Sequence, residues 1–101
     1  MVNAQLNVSR DALADFCRRN RIRRLSFFGS VLRDDFRPES DVDVLAEFQP
    51  GELVGLRIIA IEEELSKLLG GRRIDMLNPK YLNPRLKDRI LSSAEVQYDE
   101  G

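Results

Sequence analysis

The stretch that decides the fold spans residues 25–48 and reads Leu25-Ser-Phe-Phe-Gly-Ser-Val-Leu-Arg-Asp-Asp-Phe-Arg-Pro-Glu-Ser-Asp-Val-Asp-Val-Leu-Ala-Glu-Phe48. Its two apolar runs, 25–28 and 42–48, are typical of β-strands, and a Gly-Ser corner and a polar turn separate them. Asp41 and Asp43 stand two positions apart where the second run begins. Because alternate side chains of a strand share one face, we expect these two carboxylates to project side by side.

Two carboxylates at this separation repel each other, which disfavours the doubly ionised pair unless a cation lies between them. Mg²⁺ prefers oxygen ligands and is usually held by one or two carboxylates together with substrate phosphates. The Gly-Ser corner suits such phosphates, because Gly29 allows a tight turn and close backbone approach. Ser30 can cap a helix beginning at Val31, whose free N–H groups favour an anion. The stretch therefore predicts a magnesium and phosphate site.

An ordinary structural role competes with this interpretation. An Asp-Val-Asp sequence at the start of an antiparallel strand is often only a solvated polar face, and a Gly-Ser pair is usually a turn. Either half alone would favour that role. Joined at this spacing, with Arg33 between them, the two halves match a longer pattern, and we favour the functional interpretation.

Length and composition indicate one small globular domain. The chain has 101 residues, of which 43% are hydrophobic and 33% charged, and its formal net charge is −1. We expect a single domain over 1–101 with its core at about 9–99. The near-neutral balance gives no indication of nucleic acid or of an anionic membrane as a partner.

Two residue types exclude several kinds of chemistry. The sequence has no histidine, which excludes Ser-His-Asp and Cys-His catalysis within the chain and favours oxygen ligands for any metal. Cys17 is the one cysteine, so neither an internal disulfide nor a Cys-rich zinc site can form, and we expect it in the core. We find neither a spanning stretch nor a signal-peptide pattern and expect a cytoplasmic protein.

Hydrophobic periodicity predicts helices that alternate with strands, which gives an α/β domain with a small mixed sheet and helices packed against it. We expect Ser9 to cap the first helix and Gly70-Gly71 to end the longest one. Asn83-Pro84 is a strong helix start. The predicted helices are 10–19, 31–32 (a short one), 54–69 and one that begins at 83, and the predicted strands are 25–28, 41–48, 72–77 and 96–98. In the helix from 83, we expect Leu86, Ile90 and Leu91 to face inward.

Two charged stretches have an ordinary and a functional interpretation. Five arginines lie in 18–24, and they form either a solvated turn or a patch for RNA or an acidic partner. We favour the solvated turn, because no aromatic residues are interleaved for base stacking. The acidic triplet 62–64 on the longest predicted helix is expected to be part of its solvated face.

Asp75 lies between Ile74 and Met76 in the third predicted strand, where burial would be costly without a charged or donating partner. One interpretation is an ion pair with Arg72 or Arg73. The other is a third carboxylate beside Asp41 and Asp43 on a neighbouring strand. The spacing alone does not separate these two interpretations.

The combined pattern resembles the signature of the polymerase-beta-like nucleotidyltransferases, in particular their minimal (MNT-type) branch. That signature runs Gly-Ser, two residues, Arg, then a spacer to Ser-Asp-x-Asp, and residues 29–43 fill it. One departure is Asp34, where a small residue often follows the arginine. The resemblance extends through Arg73-Ile74-Asp75 and the Asn83-Pro84 helix, and it covers most of the chain from about Leu25.

The resemblance implies the nucleotidyltransferase fold, with Asp75 as the third acid of the site. It implies that the three aspartates bind two Mg²⁺ ions, with Mn²⁺ as the alternative metal, and catalyse nucleotide transfer from ATP or another nucleoside triphosphate. The nucleotide would contact Gly29, Ser30 and Ser40, and Arg33 would face the phosphates or brace a neighbouring aspartate. The implied catalytic and metal-binding residues are Asp41, Asp43 and Asp75, and the implied nucleotide-binding residues are Gly29, Ser30, Arg33 and Ser40.

The resemblance also implies a partner. Members of the minimal branch are antitoxins that transfer AMP to a HEPN-domain toxin, and we find no acceptor-binding domain within the sequence. We therefore expect protein adenylylation of a cognate HEPN toxin. Two other activities stay open: neutralisation of the partner by occlusion, which Asp34 favours, and transfer to a small molecule or an RNA end. The oligomeric state is not determined by the sequence.

Overall fold

In a computed structural model of the chain, the described residues are 8–32 and 40–100, and helices alternate with strands as expected for the α/β class. The order of elements is confirmed, and most of their bounds lie within three residues of the prediction. The helices are α1 (Arg10–Arg19), α2 (Arg57–Leu68) and α3 (Pro84–Ser93), with 3₁₀ turns at Gly29–Leu32 and Pro79–Tyr81; the strands are β1 (Ile22–Phe28), β2 (Val42–Phe48), β3 (Ile74–Leu77) and β4 (Glu95–Asp99).

The four strands form one mixed sheet in the order β3-β2-β1-β4. β1 pairs antiparallel with both β2 and β4, whereas β2 and β3 run parallel. A parallel pair needs a crossover connection, and α2 supplies it between β2 and β3. β3 and β4 are therefore the edge strands, and the apolar strands β1 and β2 occupy the centre.

Local sequence fixes where two helices begin. The Ser9 hydroxyl oxygen accepts a hydrogen bond from the Ala12 N–H at 3.0 Å and so caps α1 as predicted. The Asn83 side-chain oxygen accepts one from the Arg85 N–H at 2.9 Å at the start of α3. Both caps satisfy helix N–H groups that have no partner within the helix.

The end of α2 is a Schellman motif, as the two glycines predicted. Gly70 and Gly71 adopt φ of 81° and 88°, in the left-handed region that favours glycine. The Gly71 N–H donates to the Ser66 carbonyl oxygen at 2.8 Å, and the Gly70 N–H donates to that of Lys67 at 3.4 Å. These bonds turn the chain from α2 towards β3.

The main core lies between the sheet and the helices α1 and α2. Cys17 is fully buried in this core, as expected, and the burial raises the pKa of its thiol to about 12, which disfavours the reactive thiolate. Val54 is buried although it precedes the first turn of α2 rather than lying in it. The fully buried side chains of this core include Phe16, Cys17, Ile22, Leu25, Phe27, Val31, Val42, Val44, Ala46 and Leu65.

The prediction that three apolar residues of α3 face inward is wrong for two of them. Ile90 is buried, but Leu86 and Leu91 are 42% and 36% exposed. Ile90 does not belong to the main core cluster, which means that α3 packs at the margin of the core and buries only a narrow stripe. Helical periodicity identified the helix but overestimated the width of its buried face.

The interpretation of the arginine stretch as a solvated turn is wrong for its last two residues. β1 begins at Ile22, so Arg23 and Arg24 lie on a strand. The Arg24 guanidinium contacts Glu47 of β2 at 3.4 Å and Asp99 of β4 at 3.2 Å. Arg24 therefore joins the central strand to both neighbours through cross-strand ion pairs.

The acidic triplet is also more than a solvated face. Glu64 pairs with Arg19 and accepts a hydrogen bond from the Asn20 side-chain amide at 3.1 Å, which ties α2 to α1. Glu62 accepts from the backbone N–H of Met76 in β3.

None of the helices in residues 8–32 and 40–100 has the length and hydrophobicity that a membrane-spanning helix needs.

Candidate active site

Two of the predicted acidic residues lie at the start of β2. Asp43 is the second residue of the strand, and Asp41 directly precedes it. Alternation along the extended backbone places both on one face of the sheet. Asp41 is exposed and Asp43 is half-buried, so the carboxylates lie at a surface that a phosphate-bearing substrate can reach.

The third acidic residue, Asp75, lies directly opposite Asp43. The parallel pairing of β2 with β3 aligns the Cα atoms of Asp43 and Asp75 in register. Residues in register on neighbouring strands project from the same face, and the two carboxylates are therefore neighbours. The sequence could only suggest this pairing, because register between distant strands depends on the sheet.

The Gly29 corner approaches the same place from β1. Gly29 has φ of 73°, and a Cβ atom at this position would lie 2.5 Å from the Asp43 Oδ2 atom. Real Cβ atoms do not approach a carboxylate oxygen so closely, so a larger residue here would displace the Asp43 carboxylate, and the backbone angle itself favours glycine. The backbone of the corner thus closes over the Asp43 side chain.

Asp41 has a cationic partner in the structure. The Arg73 Nε atom lies 3.2 Å from the Asp41 Oδ1 atom, and the Arg73 side chain is 84% exposed. An ion pair with Arg72 or Arg73 was one of the two interpretations of Asp75, and Arg73 contacts Asp41 instead. An ion pair this exposed is weak and easily displaced. In the part of the chain that the structure describes, the Asp75 side chain is exposed and has no hydrogen-bond or ion-pair partner.

The donor chemistry of these residues fits a hard divalent cation, since carboxylate oxygens are the ligands that Mg²⁺ prefers. Their side chains do not converge, however: across residues 8–32 and 40–100, no three acidic or cysteine side chains come close enough together to hold a metal ion. The Cα register of Asp43 with Asp75 nevertheless places two of the three carboxylates on neighbouring strands at the same level of the sheet.

The structure places four of the seven predicted site residues in one region of the sheet, although their carboxylates do not converge: Gly29, Asp41, Asp43 and Asp75. Ser40 directly precedes Asp41 and is half-buried. The backbone of Ser30 lies in the 3₁₀ turn Gly29–Leu32, which begins two residues before the predicted helix. Arg33 and the neighbouring Asp34 lie outside the described residues. The catalytic and binding roles of all seven stay predictions.

Sequence reasoning missed one residue near the site. Glu62 of α2 accepts a hydrogen bond from the Met76 N–H at 2.9 Å, next to Asp75 along β3. The sequence contains no local signal for this contact, because an acidic residue on an amphipathic helix is normally solvated.

Curated relatives agree with the motif. Residues 10–96 match the family model described as the nucleotidyltransferase domain. A protein of Methanocaldococcus jannaschii, provisionally named a protein adenylyltransferase, is 38% identical over 73 residues, which cover 72% of this chain and 76% of the relative. The protein adenylyltransferase MntA of Thermococcus cleftensis is 34% identical over 77 residues, which cover 76% of this chain and 74% of the relative.

Solved structures agree with the fold. A structure provisionally assigned as a minimal nucleotidyltransferase superposes with a TM-score of 0.72 and 35% identity, covering 85% of this chain and 86% of the other. A toxin–antitoxin structure with AMP-PNP superposes with a TM-score of 0.74, covering 91% of this chain and 74% of the other, and its 14% identity bears on the fold alone. With its motif, its sheet and its relatives in agreement, the chain belongs to the nucleotidyltransferase domain family, and within it to the minimal branch.

Proposed function

We propose that this nucleotidyltransferase uses Mg²⁺ to transfer AMP from ATP to a hydroxyl group of a partner protein, and that the partner is a HEPN-domain toxin which the transfer silences. The observation that carries the proposal is the register of Asp43 with Asp75 beneath the Gly29 corner. This arrangement offers oxygen ligands beside a backbone surface that suits phosphate. A cytoplasmic location, as expected from the sequence, belongs to the same proposal.

The proposed roles follow from where the side chains lie. Asp41, Asp43 and Asp75 would hold two metal ions. When bound, these ions would neutralise charge on the leaving pyrophosphate. The Gly29 and Ser30 backbone would receive the terminal phosphates, with Ser40 and Arg33 nearby in the sequence. In the reaction, the acceptor oxygen bonds to the α-phosphorus and the bond from this phosphorus to pyrophosphate breaks. Asp75, which is exposed, would take the hydroxyl proton.

Support for a protein acceptor comes from the relatives. The Thermococcus relative is named a protein adenylyltransferase, and structural neighbours include toxin–antitoxin complexes, one of them with AMP-PNP. The names state what those proteins do or bind. Their similarity over about three quarters of this chain makes a protein hydroxyl the first acceptor to test.

The second candidate is a binding module that neutralises its partner by occlusion. Two observations favour it: Asp41 is paired with Arg73, and among the described residues the three carboxylates do not converge. In that case the acidic residues would be remnants of a nucleotide site, and neutralisation would need only the surface of the fold.

A single experiment separates the two candidates. The chain is incubated with ATP, Mg²⁺ and the protein encoded by the adjacent reading frame, and the partner is weighed by mass spectrometry. We expect the partner to gain the mass of AMP, and we expect Asp43→Ala to abolish both the gain and the neutralisation. Glu63→Ala, at an exposed position of α2, is the matched control and should behave as wild type. Neutralisation without any mass gain would refute the transfer and favour occlusion.

A further inference from the structure

One backbone amide of β3 bonds to a side chain of a helix rather than to a strand. The Glu62 carboxylate of α2 accepts a hydrogen bond from the Met76 N–H at 2.9 Å. In the sheet formed by the described residues, β3 is an edge strand and pairs with β2 alone. The Glu62 contact is therefore a second attachment for a strand that has one strand neighbour.

The direction of the Met76 N–H follows from the pairing on the other side. The Arg73 carbonyl oxygen accepts from the Val42 N–H at 2.8 Å, so the Arg73 backbone faces β2. Backbone groups of alternate residues in a strand face the same neighbour. The Asp75 backbone therefore faces β2 as well, and the Met76 backbone faces the outer edge. β2 and Glu62 hold two adjacent residues of β3 from opposite sides.

Helix α2 is a firm support for this contact. Ile61 and Leu65 flank Glu62 in the helix and are 3% and 0% exposed, so the helix is fixed against the core on both sides of the carboxylate. A hydrogen bond from an N–H to a carboxylate is charge-assisted and among the stronger kinds. β3, in contrast, has only the four residues Ile74–Leu77 and would fray readily without a second attachment.

We propose that Glu62 is a positioning residue for nucleotidyl transfer: its bond to Met76 fixes β3 and thereby holds the Asp75 carboxylate at its place opposite Asp43. The inference rests on the proposed function, in which these two carboxylates bind the metal. Residues behind the metal ligands commonly set metal affinity through ligand orientation, and their loss weakens it about 10- to 100-fold. Glu62 itself contacts neither metal nor substrate.

Two substitutions separate the reach of the side chain from its charge. Glu62→Asp keeps the charge but shortens the side chain by one methylene, whereas Glu62→Gln keeps an acceptor oxygen at the same reach. The probe is Mn²⁺ with α,β-methylene-ATP, whose α–β linkage cannot be cleaved, and the free ion is measured by electron paramagnetic resonance. We expect Glu62→Asp to weaken Mn²⁺ binding about tenfold or more, and Glu62→Gln to stay within about threefold of wild type.

Two further measurements identify the cause. Amide hydrogen exchange at Met76 should become about tenfold faster or more in Glu62→Asp, because the shorter side chain no longer reaches its N–H. In the transfer assay, we expect the kcat of Glu62→Asp to fall in parallel with its Mn²⁺ affinity. KM for ATP should change little, because the substitution leaves the Gly29 backbone, the proposed contact of the phosphates, untouched. Glu63→Asp is the matched control on an exposed neighbouring position and should leave all three readouts unchanged.

Several results would overturn the proposal. One is wild-type Mn²⁺ affinity in Glu62→Asp, and another is an equal loss in Glu62→Gln, which would identify charge rather than the hydrogen bond as the cause. If Glu62→Asp does not fold, Glu62→Gln decides, and a loss of Mn²⁺ affinity in that variant counts against the proposal. The two proposals can fail separately. If the wild-type chain transfers no nucleotide but still binds Mn²⁺ more tightly than Glu62→Asp does, the proposed function is refuted and the positioning role of Glu62 is retained.

Discussion

Among the described glycines, Gly29 is the one whose Cβ position is occupied by a neighbouring side chain. A Cβ atom there would lie 2.5 Å from the Asp43 Oδ2 atom, and φ is 73°. We expect Gly29→Ala to push the Asp43 carboxylate out of place and to lower nucleotidyl transfer about 100-fold or more. We also expect it to lower the free energy of unfolding by about 1–3 kcal/mol through backbone strain. Steady-state kinetics and urea unfolding measure the two effects.

Gly51→Ala is the matched control for Gly29→Ala. Gly51 has φ of 81°, but nothing lies within 4 Å of a Cβ atom placed there. This substitution should introduce backbone strain alone, of about 1 kcal/mol, and leave transfer unchanged. Equal losses of transfer in the two variants would contradict a steric role for the Gly29 corner.

Burial of Cys17 makes stability depend on pH in alkaline solution. Its pKa is raised from 9.0 to about 12 by burial, so above pH 9 the unfolded chain releases a proton that the folded chain retains. The free energy of unfolding should therefore fall as pH rises from 9 to about 12, by about 1.4 kcal/mol between pH 8 and pH 10. Urea unfolding of wild type and Cys17→Ala measures this, and the contribution should be missing from the variant. Parallel pH profiles would refute it.

At the residue scale, the sequence predicted the site only where the chemistry is local. The spacing of Asp41 and Asp43 on one strand was sufficient to predict a shared face. Asp75 had two interpretations, because its position opposite Asp43 depends on a register between strands that are distant in the chain. The bond from Met76 to Glu62 joins a backbone group to a side chain of another element and has no sequence pattern.

The start of α1 offers a test at the scale of single elements. Since the Ser9 hydroxyl oxygen accepts from the Ala12 N–H at 3.0 Å, Ser9→Ala should lower the free energy of unfolding by about 1 kcal/mol. Ser92→Ala is the control, because the Ser92 hydroxyl donates to a carbonyl within α3 and alanine favours helices. Urea unfolding should show a loss for Ser9→Ala only; a similar loss in both would contradict the capping role.

The first and last residues of an element were predictable where a capping residue or a glycine determines them, but not where strand pairing in the sheet determines them. α1 and the end of α2 lie where Ser9 and Gly70-Gly71 placed them. β1 begins three residues before the predicted Leu25, because Ile22 is buried and pairs with Phe48 of β2. Arg23 and Arg24 hid this start, since the ion pairs of Arg24 with β2 and β4 are tertiary contacts that no local pattern reveals.

For the whole molecule, the class of the sheet was predictable but the order of its strands was not. The alternation of helices and strands indicated an α/β domain with a mixed sheet. The order β3-β2-β1-β4 places β4 beside β1, at a sequence separation that no local pattern spans. The parallel pairing of β2 with β3 aligns Asp43 and Asp75, so the site depends on this global arrangement.

Binding of metal and nucleotide should stabilise the whole chain, because both would bind the folded state only. At 100 times the dissociation constant, a ligand stabilises by about 2.7 kcal/mol, which raises the midpoint of thermal unfolding by roughly 10 °C or more in a domain this small. We expect ATP with Mg²⁺ to produce this shift, ATP with EDTA to abolish it, and Asp43→Asn to lack it. Differential scanning calorimetry measures the midpoints.

The control for Asp43→Asn is Asp88→Asn, which makes the same exchange at an exposed position of α3 and should keep the full shift. The measurement requires neither the partner protein nor turnover, so it tests the carboxylate site separately from the identity of the acceptor. A chain that neutralises its partner by occlusion, with a site that binds no nucleotide, would show the same midpoint with and without ATP and Mg²⁺. In that case the register of Asp43 with Asp75 would be a feature of the fold without a role in nucleotide binding, and the function would depend on the surface that contacts the partner.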